Sequence, residues 1–395
     1  MRAAEFDVIA GGLLCLDMIP RFATEAQSVT IGELLRPGTL VLMGGMALST
    51  GGAVSNVGIA MKIFGLRVGF AAKVGDDPLG RAIVSQLEQS GNAAGIKVAG
   101  GEASSYTVVL APPGIDRIFL HCPGTNDTFS WRDIDYRLLA GSRLFHFGYP
   151  TLMRSMYTGG GGELALLLQK AKRAGVTTSL DITLPDPSSP AGRADWREIY
   201  GRVLPYTDIF LPSIEEAFYT LHPEEYLKRK QACGGKELID NFTPEEYRGL
   251  GEELLSLGCR MAALKAGHNG WYIRTAGREE LEGLGRAAPS SLEAWGDREL
   301  WCPAFASEKI ASTTGAGDSS IAGFLTAFLR GRCLEECLKL ANCAGYLNLR
   351  ALDALSGLAS WEEMERILPG LKVRENAFLA ASGWRWRSDF KLWEK

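Results

Sequence analysis

Apolar and polar positions divide the chain into short alternating segments. The run Phe6–Gly12 is apolar nearly throughout and ends in two glycines, the pattern of a buried strand closed by a turn. Residues 28–31 and 39–43 predict edge strands of a small sheet. Helical spacing follows Gly51-Gly52 as far as Phe64, and residues 67–74 predict the next strand. Residues 105–110 and 116–121 flank Pro112-Pro113-Gly114 and predict a hairpin. From residue 141 strands and helices alternate. Strands are expected at 144–148, 177–181, 209–211, 261–265 and 270–274, and helices at 163–174 and 214–221. The spacing of Ile321, Ala322, Phe324, Leu325, Phe328 and Leu329 predicts a buried helix, and residues 334–349 another. Such alternation implies right-handed crossovers and an α/β fold, with a mostly parallel sheet covered by helices on both faces. Residues 222–246 and 276–300 read as polar surface insertions.

Ligands of such sheets gather beyond the C-terminal ends of the strands. Asp17, Asp181, Glu216, Gly267 and Asp318 all fall just after predicted strands. The stretch Thr314-Gly315-Ala316-Gly317-Asp318 places a small-residue turn before a helix and a carboxylate in its first turn. The first N–H groups of a helix lack partners, and the helix dipole adds partial positive charge there. Glycines let an anion approach that backbone closely, and Asp318 stands where a general base for a hydroxyl group is needed. The same residue types also cap helices, as do Glu215 and Glu216 at the start of the helix expected from Ile214. Asp17 suits a turn as well as a hydroxyl ligand.

Bulk properties narrow the classes. The chain has 395 residues, 46% hydrophobic and 22% charged, so a large core is available without disulfides. The net charge of −4, without a basic stripe, argues against nucleic acid as the partner. No long uncharged apolar stretch predicts a membrane span, and residues 1–7 lack the form of a signal peptide. Eight scattered cysteines without a Cys-x-x-Cys pair fit reduced thiols in a cytoplasmic protein and give no zinc pattern. No Gly-x-x-x-x-Gly-Lys-Ser/Thr string is present, which excludes a P-loop phosphotransferase.

The string Ser312-Thr313-Thr314-Gly315-Ala316-Gly317-Asp318, with its apolar helix, resembles the C-terminal signature of the PfkB (ribokinase-like) family of carbohydrate and nucleoside kinases. Gly51-Gly52, Asn56, Gly65 and Gly75 resemble the N-terminal signature in order and spacing. The resemblance implies a ribokinase-like three-layer α/β/α sandwich over residues 1–372. Lid strands are expected within about 15–50 and 100–125, followed by a C-terminal tail at 373–395. That tail, with Trp384, Trp386 and Trp393, packs on the domain or a second subunit, a membrane surface being the other reading.

By the same resemblance Asp318 is the general base, and Gly315, Ala316 and Gly317 hold the developing negative charge. Asp17, Gly51, Gly52, Asn56 and Asn126 contact the sugar. Lys265, Gly267, Gly270, Thr314 and Asn342 border the nucleotide. Glu216 acts on Mg²⁺ through water. ATP and Mg²⁺ are the implied cofactors, with K⁺ near the loop 351–356, and a homodimer is expected. The sequence departs from the family pattern at Val54, Thr125 and Ser213. It also lacks the Asn and Arg that often follow the acid at Asp181, which leaves Arg154 and Arg193 as sources of a phosphate-binding arginine. A nucleoside kinase of the same fold and a sugar-binding regulator without catalysis are the alternatives.

Overall fold

The protein was described from a computed structural model covering residues 5–22, 30–90, 93–112, 117–234, 237–307 and 310–395. The apolar runs form the middle of one sheet. Its strands are β1 (Phe6–Gly12), β4 (Val68–Gly75), β5 (Ile96–Ala99), β8 (Ser142–Gly148), β9 (Thr177–Asp181), β10 (Ile209–Phe210) and β11 (Met261–Lys265), together with β12 (Trp271–Thr275), β13 (Glu299–Cys302), β14 (Arg385–Arg387) and β15 (Leu392–Glu394). Their order is β14-β15-β13-β12-β11-β10-β9-β8-β1-β4-β5. Pairing is parallel from β5 to β11 and antiparallel from β11 to β14. A second sheet is built from β2 (Cys15–Phe22), β3 (Met43–Gly51), β6 (Tyr106–Leu110) and β7 (Ile118–Cys122), in the order β3-β2-β6-β7.

Parallel strands buried on both faces favour near-continuous apolar runs, and β1 illustrates the result. Val8 and Ala10 enter one core, which also holds Ile321, Phe324, Leu338 and Ala341. Ile9 enters the other, with Leu164, Leu167, Ile199 and Leu250. The helices Ala53–Ile63, Ala316–Leu329 and Leu334–Asn348 therefore cover one face. Gly162–Arg173, Trp196–Val203, Ile214–Leu221 and Pro244–Ser256 cover the other. The chain is a three-layer α/β/α sandwich with the small sheet as a projecting lid. Among the described residues no helix is long and apolar enough to cross a membrane.

Several expectations need correction. Residues 28 and 29 lie outside the described residues, and Thr30 caps a helical turn at Ile31–Leu34 instead of opening a strand. Residues 39–42 carry no strand; pairing begins only where Met43 meets Phe22. The tip of the β6–β7 hairpin, residues 113–116, is also outside the described residues. The segment 222–246 is not irregular: it contains the helix Pro223–Ala232, anchored by buried Tyr226, Leu238 and Phe242. The segment 276–300 is not a surface insertion either. Leu281, Leu284, Ala287 and Trp295 are buried in the core, where Trp295 meets Phe328 edge-on at 5.4 Å. The C-terminal residues continue the main sheet through β15, and Trp384 packs against Trp301.

Candidate active site

Gly315 is the N-cap of the helix Ala316–Leu329 and has φ 73°, the left-handed region that glycine enters without penalty. A Cβ there would also lie 2.4 Å from the Ala354 side chain, so the loop 351–356 rests against this turn. Asp318 follows in the first turn and is buried. Asn56 Nδ2 donates to Asp318 Oδ2 at 2.8 Å, and the Tyr149 hydroxyl donates to Oδ1 at 2.6 Å. Burial pushes the Asp318 carboxyl above the ordinary aspartate range, while these two donors and the positive charge of Lys265 pull it back. The turn in front uses one of its own N–H groups: Ala316 donates to Thr313 O at 3.2 Å. Position within the first turn leaves the Gly317 and Asp318 N–H groups without helical partners, facing forward.

Beside Asp318 the strand ends bring together a charged layer. Lys265, the last residue of β11, places Nζ 2.6 Å from Asp181 Oδ1 and 3.7 Å from Glu216 Oε2. Burial alone would lower the Lys265 pKa, but Asp181, Glu216 and Asp318 together raise it, so the ammonium charge is secure. Asp181 is pushed up by burial, an effect that Lys265 opposes and Glu216 reinforces. Glu216 also caps its helix: its Oε2 accepts the Ser213 N–H at 2.5 Å, and Ser213 Oγ accepts the Glu216 N–H at 3.2 Å. The capping and charge-layer roles of this acid coexist. His146, fully buried on β8, bonds Ser179 Oγ at 2.9 Å, and burial plus Lys265 push it down to about 3, so it is neutral.

Strand register places Ser49, Asp17, Thr107 and His121 opposite one another in a polar row across the lid. Thr107 Oγ1 and His121 Nδ1 are bonded at 3.0 Å, and Cys15 Sγ donates to Asp17 Oδ1 at 3.4 Å. Burial raises the Asp17 pKa, which these neighbours partly offset. The lid also reaches the signature turn. Arg117 Nη2 donates to Ser312 Oγ at 2.7 Å and Nη1 to Leu352 O at 3.4 Å, while Ser312 Oγ accepts the Thr314 N–H at 3.0 Å. A cleft of about 1010 Å³, lined by Ile310, Ala311, Tyr346, Arg350 and Lys372 among others, opens beyond that turn.

A family model described as pfkB family carbohydrate kinase matches residues 23–359. The chain belongs to this family. It is thereby a phosphotransferase of the carbohydrate-kinase type. An uncharacterized sugar kinase of Archaeoglobus fulgidus is 25% identical over 294 residues, which is 74% of this chain and 96% of the relative. Probable fructokinase-4 of Arabidopsis thaliana is 23% identical over 92% of this chain and 97% of its own length. A solved ribokinase of Arabidopsis thaliana, complexed with ribose and ATP, superposes with a TM-score of 0.67 at 16% identity. That match covers 92% of this chain and 98% of that one, and it bears on the fold alone.

Against the PfkB signatures, the expected residues separate into groups. Asp318, Asn56, Gly315, Ala316, Gly317, Lys265 and Glu216 lie together, and Asn56 meets Asp318 through Nδ2. Gly51 lies against Asp17, and Gly52 has φ 88° with Leu13 O in the space of a Cβ. Asn126 is fully buried, its amide accepting from Leu14 N at 3.3 Å and donating to Leu14 O at 3.0 Å. It therefore ties the β1–β2 connection rather than offering its amide to a ligand. Asn342 Nδ2 donates to the carbonyls of Cys302 and Pro303 at 3.0 and 3.2 Å and shapes the segment leading to the cleft. Gly267 and Gly270 flank a single 3₁₀ turn, and Gly270 admits no Cβ because Cys302 O lies 2.0 Å from that point. Arg154 and Arg193 are exposed, whereas Arg117 touches the C-terminal signature at Ser312. Sequence reasoning missed both Arg117 and Tyr149. Tyr149 sits directly after the end of β8, a position the strand-end rule marks.

Proposed function

We propose that the chain transfers the γ-phosphoryl group of ATP to a hydroxymethyl group of a sugar or sugar acid, with Asp318 as general base. The observation that carries this reading is the buried Asp318 carboxylate, fixed on both oxygens at a helix N-terminus whose preceding turn is tied to the lid through Arg117 and Ser312. ATP supplies the phosphoryl group, and Mg²⁺ neutralises the phosphate charge. The donor set fits both. Tyr346, Arg350 and Lys372 border a cleft large enough for a nucleotide, and Glu216 and Asp181, which share Lys265, are the carboxylates that would hold an ion keeping much of its water.

Asp17 and the row beside it orient the acceptor, and the lid excludes water. As the acceptor oxygen bonds to the γ-phosphorus, the bond to the β–γ bridging oxygen breaks and the hydroxyl proton passes to Asp318. The Gly317 and Asp318 N–H groups stabilise the charge that develops. One lid face carries Leu48, Met18, Val108 and Leu120 in register; Met18 packs on the core while Leu48 and Leu120 are about half exposed, and this exposed part supports a homodimer formed through the lids.

An ADP-release assay with Mg-ATP against ketoses, aldoses, sugar acids, sugar phosphates and nucleosides, with and without K⁺, tests the proposal. Asp318→Asn should lower kcat by on the order of 10²–10⁴. Near-normal turnover in that variant refutes the base. Turnover on nucleosides alone replaces the sugar reading, and ligand binding without any turnover favours the non-catalytic regulator.

A further inference from the structure

Tyr149 is one of three non-glycine residues with positive φ among the described residues, at φ 64° and ψ 39°. An aromatic side chain rarely adopts this region, and residues so held cluster at functional sites. The conformation is imposed from both sides. Tyr149 N–H donates to Asp181 O at 3.1 Å, Tyr149 O accepts the Leu152 N–H at 3.0 Å, and Pro150 follows. A strand that continued from Gly148 in extended form would not turn here, and the ring would not lie under the helix Ala316–Leu329. In the observed turn the hydroxyl donates to Asp318 Oδ1 at 2.6 Å while Asn56 donates to Oδ2.

We infer that Tyr149 is a positioning residue: its hydroxyl fixes the orientation of the Asp318 carboxylate and favours its charged form over its neutral form. The inference deepens the proposed function, because it rests on Asp318 as the base. Tyr149 itself keeps its proton throughout. Burial, together with the neighbouring Asp318, Asp181 and Glu216 charges, raises its pKa well above the ordinary phenol value, so it acts only as a donor. The groups facing the pair are Asp181 from β9, Glu216 from the helix Ile214–Leu221 and Lys265 from β11. The Asp318 charge raises Asp181, so these two acids oppose each other, and Lys265 supports the charge on Asp318. A donor from a neutral phenol adds stabilisation of the carboxylate without adding another charge to this layer.

Tyr149→Phe keeps the ring and removes the donor. Losing a hydrogen bond to a charged group moves a titration midpoint by about 1–2 on the pH scale. The Asp318 titration, followed by ¹³C NMR in aspartate-labelled protein and assigned by its absence in Asp318→Asn, should therefore move upward by that amount. The acid limb of the kcat/KM profile should move with it, and activity should return to within a few-fold of wild type above both inflections. An unmoved inflection, or an equal loss of activity at every pH, overturns the inference. If Tyr149→Phe does not fold, 3-fluorotyrosine placed at 149, a stronger donor of nearly the same shape, should move the inflection downward, and no movement overturns the inference. If the NMR inflection moves but the wild-type protein phosphorylates no acceptor, the positioning role stands and the proposed function falls.

Discussion

Gly51→Ala isolates the contribution of Asp17 without touching Asp17 itself. Gly51 ends β3, pairs with Cys15 and is absent from the positive-φ glycines, so alanine can adopt its backbone conformation without strain. The added Cβ, however, would lie 2.2 Å from Asp17 Oδ2 and 2.6 Å from Asp17 Cγ. Something must move, and the short Asp17 side chain is the movable part. Leaving its rotamer costs about 0.5–1.5 kcal/mol, a modest loss of stability. The functional loss is larger. A carboxylate displaced from the polar row forfeits a charge-assisted hydrogen bond to the acceptor, about 1.5–3 kcal/mol, or roughly a 10- to 150-fold rise in acceptor KM. The cleft proposed for the nucleotide is formed by other elements, so ATP KM should stay within about twofold on this reasoning. Steady-state kinetics with each substrate varied in turn, alongside a thermal melt, separates these effects. Gly52→Ala is the contrasting control: φ 88° and Leu13 O at 2.4 Å make it a folding lesion, not a binding one. A folded Gly51→Ala enzyme with unchanged acceptor KM would refute the role of Asp17, and parallel rises in both KM values would show general distortion.

Arg117→Ala and Ser312→Ala should each lower kcat/KM, and the double variant should lose less than the sum, because the two share one lid-to-turn contact beside their separate bonds to Leu352 and Thr314; fully additive losses in a double-mutant cycle would sink this coupling. Lys265→Met leaves Asp181 and Glu216 facing each other without their cation, with a cost of about 3–5 kcal/mol in urea unfolding at neutral pH. Burial already raises the folded pKa of Asp181, and the variant raises it further. Between the unfolded value, near 4, and that raised value the native state binds more protons, so stability falls as pH rises. The gap to wild type should therefore narrow toward about pH 4; a constant gap contradicts the pairing. Trp384→Ala should cost about 3 kcal/mol, because the ring packs on Trp301 and Tyr272; an unchanged denaturation midpoint would show that the C-terminal residues do not share this core.

Most of the parallel half of the sheet was readable, from apolar runs such as 261–265 and from the β-branched start of 177–181, both with the observed bounds, whereas β5 was not anticipated. The same logic fails where burial rests on isolated anchors. Leu281, Leu284, Ala287 and Trp295 are spread among charged residues with no period of 2 or 3.6, so the segment reads as polar although it closes the core against Phe328. Residues 39–42 fail in the opposite direction. Leu40 and Leu42 have strand-like composition, but among the described residues no strand pairs with them, and they stay 89% and 74% exposed.

At the site, residues set by local geometry were visible and residues set by long-range contact were not. The turn at Gly315 needs a residue free to enter the left-handed region, and Asp318 falls in the first helical turn by spacing alone. Asn56 was visible as an amide near glycines, but its partner lies 262 residues away, and nothing local to it points to Asp318. Arg117 meets Ser312 across 195 residues, while the arginines sought near Asp181 are exposed. Tyr149 is the sharpest case. A positive φ at a tyrosine before proline runs against every local preference, so no propensity argument predicts it. The conformation persists because Asp181 and Leu152 hold its backbone and Asp318 holds its hydroxyl. Strain of this kind, maintained by contacts from separate elements and directed at one carboxylate, is what distinguishes a residue that serves the site from one that only completes the core.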